Sequence, residues 1–203
     1  MDHPVIGPEV VLIRHGQTEW SASGRHTGRT DVPLTELGRR QARALGRMLD
    51  RTGFARVLSS PLGRAWETME LAGQAGDGEA CDDLMEWDYG IYEGRTTAEI
   101  RLEIPGWSVW THPVRGGESI DAVGARADRV ISELLGATGP AAVFAHGHVL
   151  RILAARWIGL PAQTGKALRL DTATVSSLGW EREHRVVRHW NEMCHLRSSD
   201  PVP

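Results

Sequence analysis

The chain has 203 residues, 41% hydrophobic and 24% charged, which fits one filled α/β domain over residues 1–203 and leaves little for a second core. No stretch approaches the roughly 20 apolar residues of a membrane-spanning helix, and the start, MDHPVIGPEV, lacks the basic and apolar regions of a secretory signal, so a cytoplasmic protein is expected. A formal net charge of −3 gives no reason to expect nucleic acid or an anionic membrane as partner, and the two cysteines, Cys81 and Cys194, suit a reducing compartment rather than a disulfide frame or zinc knuckle.

The first element is the apolar, mostly β-branched run Val10–Val11–Leu12–Ile13, which reads as a strand of a parallel sheet buried on both faces. Arg14 and His15 follow it, at the strand end where open α/β sheets bind ligands. After the loop SASGRHTGRTDVP, a helix is expected from about Thr35 to Arg51, with Leu37, Gln41, Ala44, Leu45, Met48 and Leu49 at helical spacing and Gly53 as the stop. ARVLSS is the second strand. Ser60 as N-cap and Pro61 at the first helical position then open a helix to about Ala72, which sets Arg64 near its positive end.

Gly73 to Gly78 reads as a loop. The polar, aromatic segment EACDDLMEWDYGIYEGRTT reads as an excursion beyond the sheet edge, part of a lid over about 79–118. Within that span, a short helix over about Thr96–Glu103 precedes the loop PGWSVWTHPVRGGES, and Ser119 then caps a helix to about Leu135 whose apolar stripe is Ile120, Val123, Ala127, Val130, Ile131 and Leu134. AAVFA, residues 141–145, is a third buried strand ending in HGH, and a helix from about Val149 to Ile158 follows. Lys166 to His189 alternates apolar and polar residues with a break near Glu181–His184, giving one or two strands closed as a hairpin, and about the last eight residues are expected to be loose. Alternating strands and helices imply a three-layer α/β/α sandwich with a mostly parallel central sheet. Of the eight tryptophans, Trp66 is expected to fill the core, whereas Trp87, Trp107 and Trp110 are open between core and pocket wall. A tryptophan-rich homodimer contact is a further use for the last two.

Three strand-to-helix junctions bring Arg14–His15, Arg64 and His146 to one sheet edge. Burying such a set costs several kcal/mol per unpaired charge unless an anion balances it, so it points to a ligand. A phosphoryl group fits: guanidinium forks bind its oxygens in pairs, and a neutral imidazole can attack phosphorus through one nitrogen while the other holds a fixed acceptor. The flanking arginines disfavour the imidazolium and neutralise the transferring oxygens. The leaving alkoxide needs a proton, for which Asp82, Asp83, Glu86 and Asp88 form the pool; a carboxylate desolvated beside Trp87 and Tyr89 suits that task, while Asp82 and Asp83 read equally well as a solvated acidic loop. The HGH at 146–148 could chelate a metal, but the first strand offers arginine where dinuclear sites want carboxylates, so no metal and no cofactor are expected. His184, His189 and His195, and the isolated His3, His26 and His112, read mostly as structural or surface residues, with His26 a candidate for the pocket rim.

The chain resembles the histidine phosphatases of the phosphoglycerate mutase-like superfamily. The resemblance rests on RHGQT at 14–18, SSPLGRAWET at 59–68, MEWDYGIYEG at 85–94, GGES at 116–119 and FAHGHVLR at 144–151, in that order over nearly the whole chain. It implies a phosphoglycerate mutase-like fold, His15 as the phosphohistidine, Arg14, Arg64 and His146 holding the phosphoryl group, and Glu86 as acid and later base. Gln17 stands in place of a common glutamate, and Ser21 where mutases carry asparagine, which weakens a mutase-style contact.

Within the superfamily the chain is most similar to the branch with fungal sedoheptulose-1,7-bisphosphatase and small bacterial acid phosphatases. That likeness implies that Arg25, His26, Thr27, Trp87, Tyr89 and Arg151 line the substrate, with Ser21, Gly28 and Gly147 as further contacts. A rim of Arg25, Arg29 and Arg151 would favour a bisphosphate. The expected activity is hydrolysis of small phosphate esters, and the segment over 90–118 decides whether water reaches the intermediate, as in a phosphatase, or is kept out, as in a mutase. A silent phospholigand-binding protein is the remaining reading.

Overall fold

The structure is a computed structural model that describes residues 7–49 and 52–197. His3, Arg51 and the last six residues, on which some expectations fall, lie outside the described residues. The strands are β1 (Val10–Arg14), β2 (Arg56–Ser59), β3 (Gly78–Ala80), β4 (Ala141–Ala145), β5 (Val175–Glu181) and β6 (His184–Glu192). They form one sheet in the order β3-β2-β4-β1-β5-β6. The first four are mutually parallel, β5 runs antiparallel to β1, and β6 closes the sheet as an antiparallel hairpin partner.

The helices are α1 (Glu19–Ser23), α2 (Glu36–Leu49), α3 (Gly63–Leu71), α4 (Thr97–Glu103), α5 (Ile120–Leu135), α6 (Gly147–Trp157) and α7 (Cys194–Arg197). Side chains on a strand alternate between faces, and the core divides accordingly. Ile13, Val57, Ala142 and Phe144 pack under Leu45 and Leu49 of α2 and Met69 of α3. Leu12, Leu58, Val143 and Ala145 face the opposite side, against Val123, Val130 and Leu134 of α5 and Val149 and Leu153 of α6. The result is the expected three-layer sandwich. Since β1, β2 and β4 are parallel, their carboxyl ends share one edge, and the segments leaving them carry His15, Arg64 and His146.

Several expectations need correction. Ser60 does not cap α3: that helix starts at Gly63 after Leu62, with no cap from Leu62, and Asp31 from the loop before α2 accepts the Gly63 N–H at 2.9 Å instead. The segment after Gly73 contains an edge strand, β3, paired with β2. The aromatic stretch that follows is not an excursion from the core, because Trp87, Tyr89, Tyr92 and Trp107 are all buried in the cluster under α5 and α6. Trp66 only half fills its place, packing on the α2 side while its indole N–H donates to Glu70. Helix α6 begins two residues early, which makes His146 its N-cap residue. Lys166 and Ala167 end a 3₁₀ turn (Ala162–Ala167) rather than open a strand, and α7 forms where loose chain was expected to begin.

Candidate active site

The floor of the site is the end of β1. His15 Nδ1 lies 2.7 Å from the Gly16 carbonyl oxygen. A carbonyl only accepts, so Nδ1 carries the proton and Nε2 keeps its lone pair. Burial pushes the His15 imidazole well below its ordinary value, and the charges of Arg64 and Arg14 push it further. The loop is pinned on both sides: the Gly16 N–H donates to Thr68 Oγ1 at 3.0 Å, and that hydroxyl donates to the Arg64 carbonyl at 2.7 Å. Gly16 also presses against α2. A Cβ there would stand 2.4 Å from the Gly38 carbonyl oxygen, and one on Gly38 would stand 2.1 Å from that of Gln17.

Three charged or polar groups surround His15. Arg14 donates from Nη1 to the Leu170 carbonyl at 2.6 Å, and its Nε is buried with no partner among the described residues. Gly147 leaves room for it, since a Cβ there would meet the guanidinium carbon at 3.4 Å. Arg64, fully buried, donates to the carbonyls of Thr30 (2.9 Å), Gly28 (2.8 Å) and Thr27 (3.2 Å), bracing the loop before α2 while its Nε stays unpartnered. His146 bonds Ser60 Oγ through Nε2 at 2.7 Å, leaves Nδ1 unpartnered, and packs with its ring centroid 5.2 Å from that of His15. Burial lowers the pKa of both guanidiniums, and burial followed by the Arg64 charge lowers that of His146.

Glu86 sits at the positive end of α6. Its Oε1 accepts the N–H groups of Trp87 (2.9 Å) and Val149 (3.0 Å), and Oε2 accepts that of His148 (2.9 Å), the arrangement an anion takes at a helix N-terminus. The turn carrying it is braced by an ion pair. Arg126 donates to Glu118 from Nε (2.8 Å) and Nη2 (3.0 Å), and from Nη1 to the carbonyls of Asp83 and Met85, while Glu118 also accepts the Asp88 N–H at 3.0 Å. Burial alone would raise the Glu118 carboxyl, but the Arg126 and Asp88 hydrogen bonds and the Arg126 and Arg29 charges bring it below its ordinary value.

A cavity of about 180 Å³ opens above this floor. Arg14, His15, Glu86, Ser21, Arg25, His26, Thr27, Tyr89, Gly147 and Arg151 line it as expected, joined by Gly24, His148 and Leu170, which sequence reasoning missed. Four expected residues are not on its wall. Arg64 and His146 are buried outside the lining, Gly28 is tied by its N–H to Glu93 at 2.8 Å, and Trp87 is buried, stacked on Tyr89 with centroids 6.3 Å apart. The expected arginine rim is only partly present. Arg25 bonds the Gly94 carbonyl at 2.7 Å and Arg151 those of Gly165 (2.9 Å) and Lys166 (3.0 Å), both on the wall, whereas Arg29 turns away to Met85 and Glu118. Arg151 also lies 4.5 Å over the Trp110 ring, so Trp110 supports the wall from behind, while Trp107 is core.

His26 bonds Thr97 through Nε2 at 3.2 Å, and burial lowers its pKa to about 4. In the HGH pair, His146 is directed to Ser60 and His148 to Tyr89. Among the described residues, no three His, Cys, Asp or Glu side chains are grouped to hold a metal ion. The second histidine of HGH was a visible signal for His148. Nothing in sequence spacing marked Asp31, Glu93 or Leu170.

With this geometry in view, residues 10–193 match the histidine phosphatase superfamily (branch 1). The chain belongs to that superfamily. This histidine phosphatase is 41% identical over 176 residues to an acid phosphatase of Mycobacterium tuberculosis, covering 85% of this chain and 86% of the relative. It is 35% identical over 193 residues to the sedoheptulose 1,7-bisphosphatase of Saccharomyces cerevisiae, covering 79% and 71%. A solved structure of an open reading frame product of Mycobacterium tuberculosis superposes with a TM-score of 0.85 at 38% identity, covering 91% of this chain and 97% of the other. Membership and these relatives make the protein a phosphatase. No helix among the described residues is long and apolar enough to cross a membrane.

Proposed function

We propose that this histidine phosphatase hydrolyses small phosphorylated metabolites, sugar phosphates or bisphosphates foremost, in two steps through a phosphohistidine and without a metal. In the first step His15 Nε2 attacks phosphorus, the bond to the leaving oxygen breaks, and Glu86 gives that oxygen a proton. In the second, Glu86 takes a proton from water, the resulting oxygen attacks phosphorus, and His15 leaves as the neutral imidazole. Arg14 and Arg64 balance the charge on the transferring oxygens, which is where phosphoryl transfer needs it. Cytoplasmic small-molecule esters are the natural substrates on this reading, and the segment over 90–118 lets water reach the intermediate.

The observation that carries the reading is the bond from His15 Nδ1 to the Gly16 carbonyl at 2.7 Å, which reserves Nε2 for attack. Support for a second phosphate, as in a sugar bisphosphate, comes from Arg25 and Arg151, which both line the cavity. The test is phosphate release from sugar phosphates, bisphosphates and p-nitrophenyl phosphate in EDTA, with His15→Ala as control and the phosphoenzyme trapped by acid-labile labelling. EDTA-resistant release, with the label and at least about 10³-fold of the activity lost in His15→Ala, is expected. Release that needs a metal, or a phosphoenzyme that passes its phosphate to an added alcohol in preference to water, would overturn it.

A further inference from the structure

The imidazole of His148 is the one ring on the cavity wall to which no role has yet been given. Its Nδ1 lies 2.6 Å from the Tyr89 hydroxyl and 3.9 Å from Glu86 Oε2. Tyr89 is buried, and Nδ1 is the hydrogen-bond partner of its hydroxyl among the described residues. A buried phenol needs an acceptor for its proton, so Tyr89 donates and Nδ1 accepts. The tautomer of His148 follows: the proton is on Nε2, at the far edge of the ring from Tyr89. The side chain is 20% exposed, the residue lines the cavity, and Nε2 has no hydrogen bond among the described residues.

The charge state matters as much as the direction. Burial holds the His148 imidazole well below its ordinary value, and the charges of Arg151 and Arg14 add to the effect. Burial keeps the Tyr89 phenol well above its ordinary value. Trp110, with its ring centroid 5.0 Å from that of His148, and His26, at 6.2 Å, complete a wall of neutral rings on this side. The group offered to a ligand is therefore an uncharged N–H. Anionic oxygens are better matched by the unpartnered guanidinium nitrogen of Arg14 on the floor. An uncharged donor suits an uncharged oxygen, and the His148 ring, whose Nδ1 edge lies 3.9 Å from Glu86, stands on the Glu86 side of the site, where the reading above puts the leaving group rather than the transferring phosphate.

We propose that His148 is a specificity-determining residue whose Nε2–H donates to a hydroxyl of the leaving group, selecting esters of polyhydroxylated alcohols over esters that carry no hydroxyl near the phosphate. This rests on the phosphatase reading above and sharpens its substrate class. A site built to pair a substrate hydroxyl discriminates against analogues lacking it, since its own polar group is then left unpaired.

The test compares kcat/KM for p-nitrophenyl phosphate with that for the fastest of ribose 5-phosphate, glucose 6-phosphate, fructose 1,6-bisphosphate and glycerol 3-phosphate, in the wild type, His148→Phe and His148→Gln. The Phe variant keeps the ring packing and loses the donor; the Gln variant restores a donor. The polyol-to-aryl ratio is expected to fall about tenfold in His148→Phe, the worth of one neutral hydrogen bond at the upper end, and to recover in His148→Gln. Because the main-chain N–H of His148 holds Glu86, both variants keep that contact. His148→Phe strands the buried Tyr89 hydroxyl, so circular dichroism and the Gln variant establish that a change in ratio is not a loss of fold. An unchanged ratio in a folded variant, or a wild type that hydrolyses the aryl ester but none of the polyol esters, would overturn the inference. A wild type that releases phosphate from none of the five compounds would instead defeat the phosphatase reading itself.

Discussion

The floor and the outer wall of the cavity are built on different principles. On the floor and behind it, each charged or polar side chain is fixed by main-chain or buried partners: His15 by the Gly16 carbonyl, Arg14 by that of Leu170, Arg64 by those of Thr27, Gly28 and Thr30, and His146 by the Ser60 hydroxyl. The outer wall is made of residues from the loop after α1, the Tyr89 turn and α6, and its cationic members, Arg25 and Arg151, reach the cavity from part-exposed positions while held by one or two carbonyls each. A site that must bind one constant group and many variable ones is served by this division. On the proposed reading, rigid dipoles and fixed charges act on the phosphoryl group, where preorganisation lowers the barrier, and the variable part of the substrate meets side chains that can be exchanged without moving the floor.

The largest expected effect tests whether Glu86 belongs to the floor as a proton donor. Glu86→Gln should lower kcat by about 10²- to 10³-fold for an alkyl phosphate, and by far less for p-nitrophenyl phosphate, whose leaving group needs little protonation. Equal losses on both, measured by phosphate release, would reduce Glu86 to a cap of α6. A second effect, on stability, tests how firmly the wall is anchored behind Glu86. Glu118→Ala leaves Arg126 buried without its carboxylate and should cost about 3 kcal/mol in chemical unfolding.

The pH dependence of that contribution has a definite sign. The folded-state pKa of Glu118 lies below its ordinary 4.5, so the stabilisation is fully present above that value and is lost as pH falls through the lower folded-state pKa. Wild type and Glu118→Ala should therefore converge in stability in acid; a gap that persists there would mean the carboxylate is not the source. The smallest effect separates wall from scaffold among the arginines. Arg151→Ala should raise KM for a sugar phosphate about tenfold, as removal of a charged donor does, while Arg29→Ala, directed to Met85 and Glu118, should change KM less than about twofold. Similar values for the two would erase the distinction.

The same division governs what could be read from the residues alone. The floor stood out because β1, β2 and β4 are short apolar runs ended by Arg, Ser or His, and parallel strands bring their ends together whatever the loops do. The wall did not, because its placement depends on pairings far apart in the chain. Asp31 caps α3 from 32 residues away and so displaced the Ser60–Pro61 reading; the Ser60 hydroxyl was already committed to His146 from 86 residues away. Glu93 holds Gly28 and Thr30 with no local signal. β3 was missed since a three-residue strand at the sheet edge, half exposed, has no apolar alternation to detect. The burial of Trp87, Tyr89 and Tyr92 was hidden by the acidic residues interleaved with them.

The contact between Gly16 and Gly38 bears on any attempt to transplant this chemistry. The two main chains touch so closely that a single methyl on either side would collide with a carbonyl oxygen, and the Thr35 N–H donates to the Gln17 carbonyl across the same seam at 2.9 Å. Residues 14–18, which carry the proposed nucleophile, are thus one half of a mechanical joint whose other half is the first turn of α2. A graft of the loop into a new scaffold has to bring that turn with it, and a library that randomises either glycine will return variants in which the hinge has sprung and the imidazole has lost its bearing.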